Sequence, residues 1–330
     1  MKFVKDIDKN GISKVIKNAL FSAYSDIRLS SFNNELDNLE VRTELWNEVV
    51  EFLKGIDTSS TIDLIEPFWV RNSENIRKDL LTNPDAMKKF TRIPSLRYTL
   101  SQAGAPLFLS REEKGMLNYV LSSTLNSNYK KFLRADSVGK PFLISRKYQT
   151  SYLRLQHIFE LALYNHEIPD KLQSFKRIVE WGGGYGDMCR ILYGADETIT
   201  YAIVDLPVTS IIQYYYLSSI FGKDKVNLVS DMNQLVKEHS INLVPLTSLR
   251  WLNMHFQFFL STFALTESSQ KAVDFVLHEQ FFGAGNLLIG GQYTNRDFPE
   301  TNLKLNQIKN AIEVKELVSP VREDVYFLLK

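Results

Sequence analysis

Cysteine is almost absent from this 330-residue chain: Cys189 stands alone. That excludes an intrachain disulfide framework and any zinc site built on cysteines. Its setting among apolar residues makes it core filler rather than a nucleophile. Net charge is lacking too. With 39 Lys and Arg against 38 Asp and Glu the balance is +1, so no global field draws the chain to nucleic acid or an anionic lipid surface. No apolar run reaches bilayer-spanning length, and the opening MKFVKDIDKNGISKVIK is broken by charges and has no signal-like apolar core. These absences describe a soluble, cytoplasmic chain in a reducing compartment, with no nucleic-acid partner and no membrane insertion. The five His and the acids show no metal-ligand spacing, neither His-x-x-x-His nor a calcium loop, so no metal is expected.

Apolar residues make up 44% of the chain, with 21 Phe and 15 Tyr, ample for a sizeable core. The length suits two units. Residues 1–146 carry mainly helical periodicity and read as a domain of their own, a substrate lid or the contact of a homo-oligomer. Trp46, Val49, Val50 and Leu53 mark one amphipathic helix, and Met116, Tyr119, Val120 and Leu125 lie in a longer one over 112–134. Breaks fall at Ile65 to Trp69, Ile93 to Ser95 and Ala103 to Pro106. A further helix over 147–164 carries an apolar stripe of Leu155, Ile158, Phe159 and Ala162, with His157, Glu160 and Tyr164 on another face.

The stretch RIVEWGGGYGDMCRIL, residues 177–192, organises the second unit, 147–330. A buried strand runs into Glu180, Gly182, Gly183, Gly184 and Gly186 and then into a helix. A chain that turns at once from strand to helix needs residues without Cβ, so that backbone N–H groups can approach a ligand closely. The spacing fits neither Gly-x-Gly-x-x-Gly nor Gly-Lys-Ser/Thr. From here strands and helices alternate, the texture of a parallel sheet. Thr200 to Val204 is a second strand ending in Asp205, Leu206 and Pro207. Asp205 follows Gly186 by 19 residues, where a carboxylate can hold a ribose diol across a sheet switch point. Two segments compete for the third strand, 226–229 and 241–246; the first would bring Asp231 to an adenine, the second Thr247 or nearby backbone. Phe256 to Leu260 is the fourth and Asn286 to Gly290 the fifth. Residues 312–317 and 325–329 have no helix between them and form a hairpin, which makes the last strand antiparallel.

The form Glu-x-Gly-x-Gly-x-Gly, with IVDLP at the second strand tip, the Gln- and Tyr-rich IIQYYYL and LSTFALTE after strand four, resembles the class I S-adenosylmethionine (SAM) dependent methyltransferases. Within them the chain is most similar to the bacterial putative sugar O-methyltransferases of surface-polysaccharide clusters, over roughly residues 148–292. It departs from that pattern at Ser268, where the family often has Met. The resemblance implies an α/β fold with a seven-stranded, Rossmann-like sheet whose last strand is antiparallel, SAM as cofactor, and a sugar or glycan precursor as substrate. It implies that Glu180 acts from the end of strand one, that the four glycines make room for the cofactor and that Asp205 holds the ribose. Leu206 and Phe263 flank the adenine, and Thr262 joins the cofactor residues. Tyr148, Gln149 and Tyr293 are the substrate candidates. A sugar hydroxyl needs a general base; Glu267 is the first candidate, against a reading as a helix N-terminal acid, and His157 the second.

Overall fold

The computed structural model describes residue 23 and residues 39–56, 63–83, 85–99, 109–145, 147–229 and 236–330. The expected break at Ala103 to Pro106, the adenine candidate Asp231 and the opening 17 residues lie outside them.

Among the described residues four longer helices precede the sheet, the first three being α1 (Leu39–Gly55), α2 (Pro67–Thr82) and α3 (Arg111–Ser122). Leu45, Val49 and Leu53 recur every four residues on α1 and are buried, and Trp46 meets the edge of Tyr215 at 5.0 Å. Helix α3 starts on a capping box, with Ser110 and Glu113 bonding each other's backbone N–H. The single helix expected over 112–134 stops at Ser122: Ser123 is extended, and Asn126 opens a separate turn by accepting the N–H of Asn128. Short polar side chains that bond local backbone compete with helix continuation.

Helix α4 (Tyr152–Glu167) begins five residues later than the periodicity predicts. Ser151 is its N-cap, accepting from the N–H of Arg154, and Gln149 just before it sits at φ +52°. Packed on α3 and α5 (Asp187–Ala195) and reaching the sheet through Tyr164 against Phe258, α4 buries almost its whole length, Leu155, Ile158 and Leu161 included.

The sheet has eight strands in the order β3-β4-β2-β1-β5-β6-β8-β7. They are β1 (Arg177–Trp181), β2 (Thr200–Asp205), β3 (Val226–Leu228), β4 (Ile241–Pro245), β5 (Phe258–Thr262), β6 (Asn286–Gln292), β7 (Lys315–Ser319) and β8 (Arg322–Leu329). Both candidate third strands are strands. Ile241–Pro245 takes the place beside β2, and Val226–Leu228 adds three residues outside it, so the expected seven become eight. The first six run parallel, while β8 pairs antiparallel with both β6 and β7, as the hairpin predicts. Every residue of β2 and β4 is buried, because helices cover both faces of a parallel sheet. Alternation sorts the two cores. Ile178, Ile203 and Leu260 face α4, α5 and α6 (Pro207–Phe221). Val179, Val204 and Phe259 face the other layer, with α8 (Gln270–His278) and α9 (Thr301–Ala311). A fully buried Leu, Ile or Phe contributes about 1.5–3 kcal/mol, so a one-residue slip in register would expose a whole face. The helix expected to run from Thr266 or Glu267 to Gln280 divides into α7 (Ala264–Glu267) and α8, separated where Ser269 caps the second.

Candidate functional site

Strands β1 and β5 lie side by side while their successors go to opposite edges. Their carboxyl ends therefore form the switch point at which open α/β sheets bind ligands. At the first end the chain turns at Gly182, φ +79°, whose N–H donates to the carbonyl of Val204 (2.8 Å). A Cβ on Gly182 would lie 2.1 Å from the Cβ of Ala264, so conformation and space both demand glycine. Gly186, at φ +96°, is the N-cap of α5. At the second end Phe263 holds φ +71° before α7, an uncommon state for a bulky residue and one that recurs at functional sites.

Two cavities open over these ends. The first, about 910 Å³, has largely apolar walls that include Leu206, Leu246 and Trp181, with Asp205 at the β2 tip. The second, about 1200 Å³, is polar, lined by His157, Glu180, Gln156, Gln292, Asn295 and Arg322 among others. Gly182, Gly184, Thr262, Phe263, Glu267 and Trp69 line both and form the boundary.

Three carboxyl groups face this space in a perturbed state. Burial pushes Asp205 up to about 7, against bonds from Leu206 N–H (2.7 Å), the Gln213 amide (2.8 Å) and the N–H groups of Gly183 and Gly184. Glu180 is raised to about 7 by burial, opposed by the charge of His157 and the Tyr201 hydroxyl at 2.9 Å. Glu267 is raised to about 7 by burial and by Asp297, while the Asn295 amide, donating at 3.1 Å, holds it down. A carboxyl poised near neutrality beside a cleft has the proton affinity of a general base.

Behind Glu180 sits a buried ionic cluster. Arg154, 1% exposed, donates to both oxygens of Asp187 (3.0 and 3.1 Å through Nε), to Asp136 (2.7 Å) and to the carbonyls of Phe132 and Arg134. Asp187 also meets Nδ1 of His157 at 3.0 Å. Burial opposes charge on Asp187, yet Arg154 and His157 hold its carboxyl well below the usual range. Burial would lower His157, but the bond and charge of Asp187 raise it on balance. Nδ1 of His157 is thus engaged by Asp187, whereas Glu267 lies on the boundary of both cavities. Glu267 closes the one-turn α7 and so lies within its first turn, two residues before the cap of α8.

Of the residues singled out in the sequence, Glu180, Gly182, Gly183, Gly184, Asp205, Leu206, Thr262, Phe263, Glu267 and His157 line one cavity or both. Gly186 lies behind them against Leu217. Tyr148, Gln149 and Tyr293 line neither. Tyr148 and Gln149 belong to the turn before α4, where Gln149 N–H donates to the carbonyl of Ser145 and Lys147 lies over the Tyr148 ring. Tyr293 points away, with its hydroxyl on Glu316 (2.7 Å) and its ring against Tyr326. Sequence reasoning missed Trp69, Trp181, Asn295 and Gln213. Trp181 stands inside the glycine motif; its indole N–H donates to Ser268 Oγ (3.0 Å), which gives the departure at Ser268 a role as a brace.

No protein-family model matches the chain, and a search of curated proteins finds no match. Among solved structures, an O-methyltransferase (NcsB1) from neocarzinostatin biosynthesis in complex with S-adenosyl-L-homocysteine is 14% identical, over 53% of this chain and 55% of that one, with a TM-score of 0.35. The pyocyanin biosynthetic protein PhzM is 14% identical over 53% and 57%, with a TM-score of 0.34. The S-adenosyl-L-homocysteine-bound Podospora anserina methyltransferase PaMTH1 is 11% identical over 70% and 91%, with a TM-score of 0.35. The chain thus spans about half the length of the first two. Similarity at this level carries nothing about chemistry. No helix among the described residues is long and apolar enough to cross a membrane, and no group of side chains among them has the make-up of a metal site.

Proposed function

We propose that the chain is a SAM-dependent O-methyltransferase whose acceptor is a hydroxyl of a sugar in a surface glycan or its precursor. The observation that carries this reading is Glu267, a half-buried carboxyl on the boundary between an apolar and a polar cavity that is raised to about 7.

The residues present fit the cofactor. Asp205 faces the first cavity from the β2 tip, where a carboxylate can accept the hydroxyls of a diol. Leu206, Leu246 and Trp181 provide flat apolar contact for a purine, and Gly182 leaves the backbone bare where a side chain would collide. On the other side Glu180 and His157 offer opposite charges for a zwitterionic amino-acid end. When bound, the sulfonium supplies an electrophilic methyl carbon. Glu267 takes the proton from the acceptor hydroxyl as its oxygen becomes a nucleophile, and Asn295 fixes the carboxyl that takes it. Alignment of the two reactants across the shared boundary is the larger effect, on the order of 7–11 kcal/mol where geometry is ideal.

Amide and hydroxyl groups from Gln156, Gln292 and Tyr152 suit a polyhydroxylated acceptor. Trp69 and Phe298 lie nearly parallel (15°, 5.7 Å) at the same cavity. Their faces also suit an aromatic small molecule, which is the second reading. Titration calorimetry with SAM and its demethylated product tests the cofactor, and no binding at millimolar ligand refutes the proposal. Mass spectrometry of a glycan pool incubated with methyl-labelled SAM tests the acceptor; label confined to added phenols, and none on sugars, favours the second reading.

A further inference from the structure

Resting on that cofactor reading, we infer that Gln213 is a positioning residue for the ribose subsite, clamping the glycine loop to Asp205 so that the carboxylate is fixed before a ligand arrives. Gln213 lies on α6 and is fully buried. It lines neither cavity. One nitrogen serves both partners: Nε2 donates to the carbonyl of Gly184 (2.9 Å) and to Oδ2 of Asp205 (2.8 Å). Of the two ends of the amide only the NH₂ can donate, and it has two hydrogens for these two acceptors, so the partners decide which way the amide points. The orientation leaves Oε1 buried with no hydrogen-bond partner. A buried orphan acceptor is unfavourable, and the opposite orientation would set a carbonyl oxygen against two others. The arrangement is the better of two imperfect ones, which is what a geometry set by the site rather than by the core looks like.

The consequence follows from the charges around Asp205. Among the described residues no Lys, Arg or His lines the first cavity. The carboxyl groups near it only oppose its ionisation: Glu66, from the segment before α2, and Glu267, after β5, share that cavity, and Glu180 on β1 is coupled to Asp205 by charge. Tyr185 lines the same cavity but is held neutral by burial, with its hydroxyl on Asp187 (3.0 Å). On the α5 side, Asp187 is already matched by Arg154 and His157. Ionised Asp205 is therefore supported by dipoles alone, and Gln213 is the side chain among them. The backbone N–H groups of Gly183, Gly184 and Leu206 supply the rest. An amide donor favours the charged form, so its loss moves ionisation of Asp205 to higher pH. A diol donates best to the charged form.

The test is titration calorimetry with S-adenosylhomocysteine at pH 6, 7, 8 and 9, on the wild type and on Gln213→Met, which matches the volume without donors. Glu180 and Glu267 titrate in the same range, so the readout is the ratio of the two dissociation constants at each pH. If the variant ionises Asp205 about one pH unit later, the expected ratio is about tenfold at pH 6 and about fivefold at pH 7, and it falls toward unity by about pH 9. A ratio independent of pH, or equal to one throughout, overturns the role of Gln213 while leaving the cofactor reading intact. A wild type that binds at no pH overturns both. Should Gln213→Met fail to fold, Gln213→Asn keeps the amide but is one methylene too short for both acceptors, and carries the same expectation.

Discussion

Replacing Arg154 by Met should unfold this protein more readily than any surface change. The guanidinium is 1% exposed and reaches five groups: Asp187, Asp136, the carbonyls of Phe132 and Arg134, and the Tyr216 hydroxyl at 3.2 Å. Met fills the space but leaves two buried carboxylates to His157 and Arg190, and the latter reaches only Asp136. Removing one partner of a buried pair costs about 3–5 kcal/mol, and two carbonyls stranded at the same time place Arg154→Met near the top of that range. Urea unfolding followed by tryptophan fluorescence reads the loss; for a slope of about 3 kcal/mol per molar, the midpoint falls by roughly 1.5 M. Arg154→Lys keeps the charge without the planar fork and should recover only part of it. Adding Asp187→Asn to Arg154→Met removes one stranded charge and should regain stability. A single mutant within about 1 kcal/mol of wild type refutes the reasoning, because exposed ion pairs contribute about that much.

Glu267→Gln keeps the shape and the Asn295 contact of the carboxyl but cannot take a proton; turnover should fall by about 10²–10⁴ while calorimetric affinity for S-adenosylhomocysteine stays the same. Retained turnover would sink the base assignment. Between pH 6 and pH 8 the ligand-free protein should lose thermal stability, as calorimetry would show. Glu160, Glu180, Asp205 and Glu267 are all raised to about 7 by burial, so the stability they contribute is complete below their unfolded values and is lost as pH rises through 7. His157, raised from 6.5, acts in the same direction. Asp187 and Asp136, held low, contribute above 3.8 and change only in acid; a melting temperature that climbs from pH 6 to 8 contradicts the account. Gly182→Ala combines φ +79° with a 2.1 Å approach to Ala264 and should cost at least about 2 kcal/mol, together with cofactor affinity; a melting temperature equal to wild type would show that the loop relaxes.

The parts of the site that can be read from the chain are those in which chemistry and local geometry coincide. A glycine run after a strand announces a tight turn, because glycine takes positive φ without the steric cost that a Cβ brings. Asp205 falls at a strand tip by counting alone, and Glu267 follows β5 at the same carboxyl edge of the sheet. Periodicity misplaces the helix start near 147 because an apolar stripe marks a helix face and not its first residue; Ser151 fixes that, and with it Tyr148 and Gln149 move off the site. The two candidate third strands are equally apolar, and only pairing with β2 shows that 241–245 is the inner one.

The amino-acid sequence by itself determined the order of strands and helices, the glycine turn and the acidic residues at the strand tips, since each follows from spacing along a few neighbouring residues. The tertiary structure decided which side chains share a cavity, and hence how they ionise. Trp69 joins Phe298 across 229 positions, Asn295 meets Glu267 across 28, and Gln213 reaches back 29 residues to Gly184. Burial and charge act through space: the value near 7 shared by Asp205, Glu180 and Glu267 belongs to the packed sheet end and to no stretch of sequence.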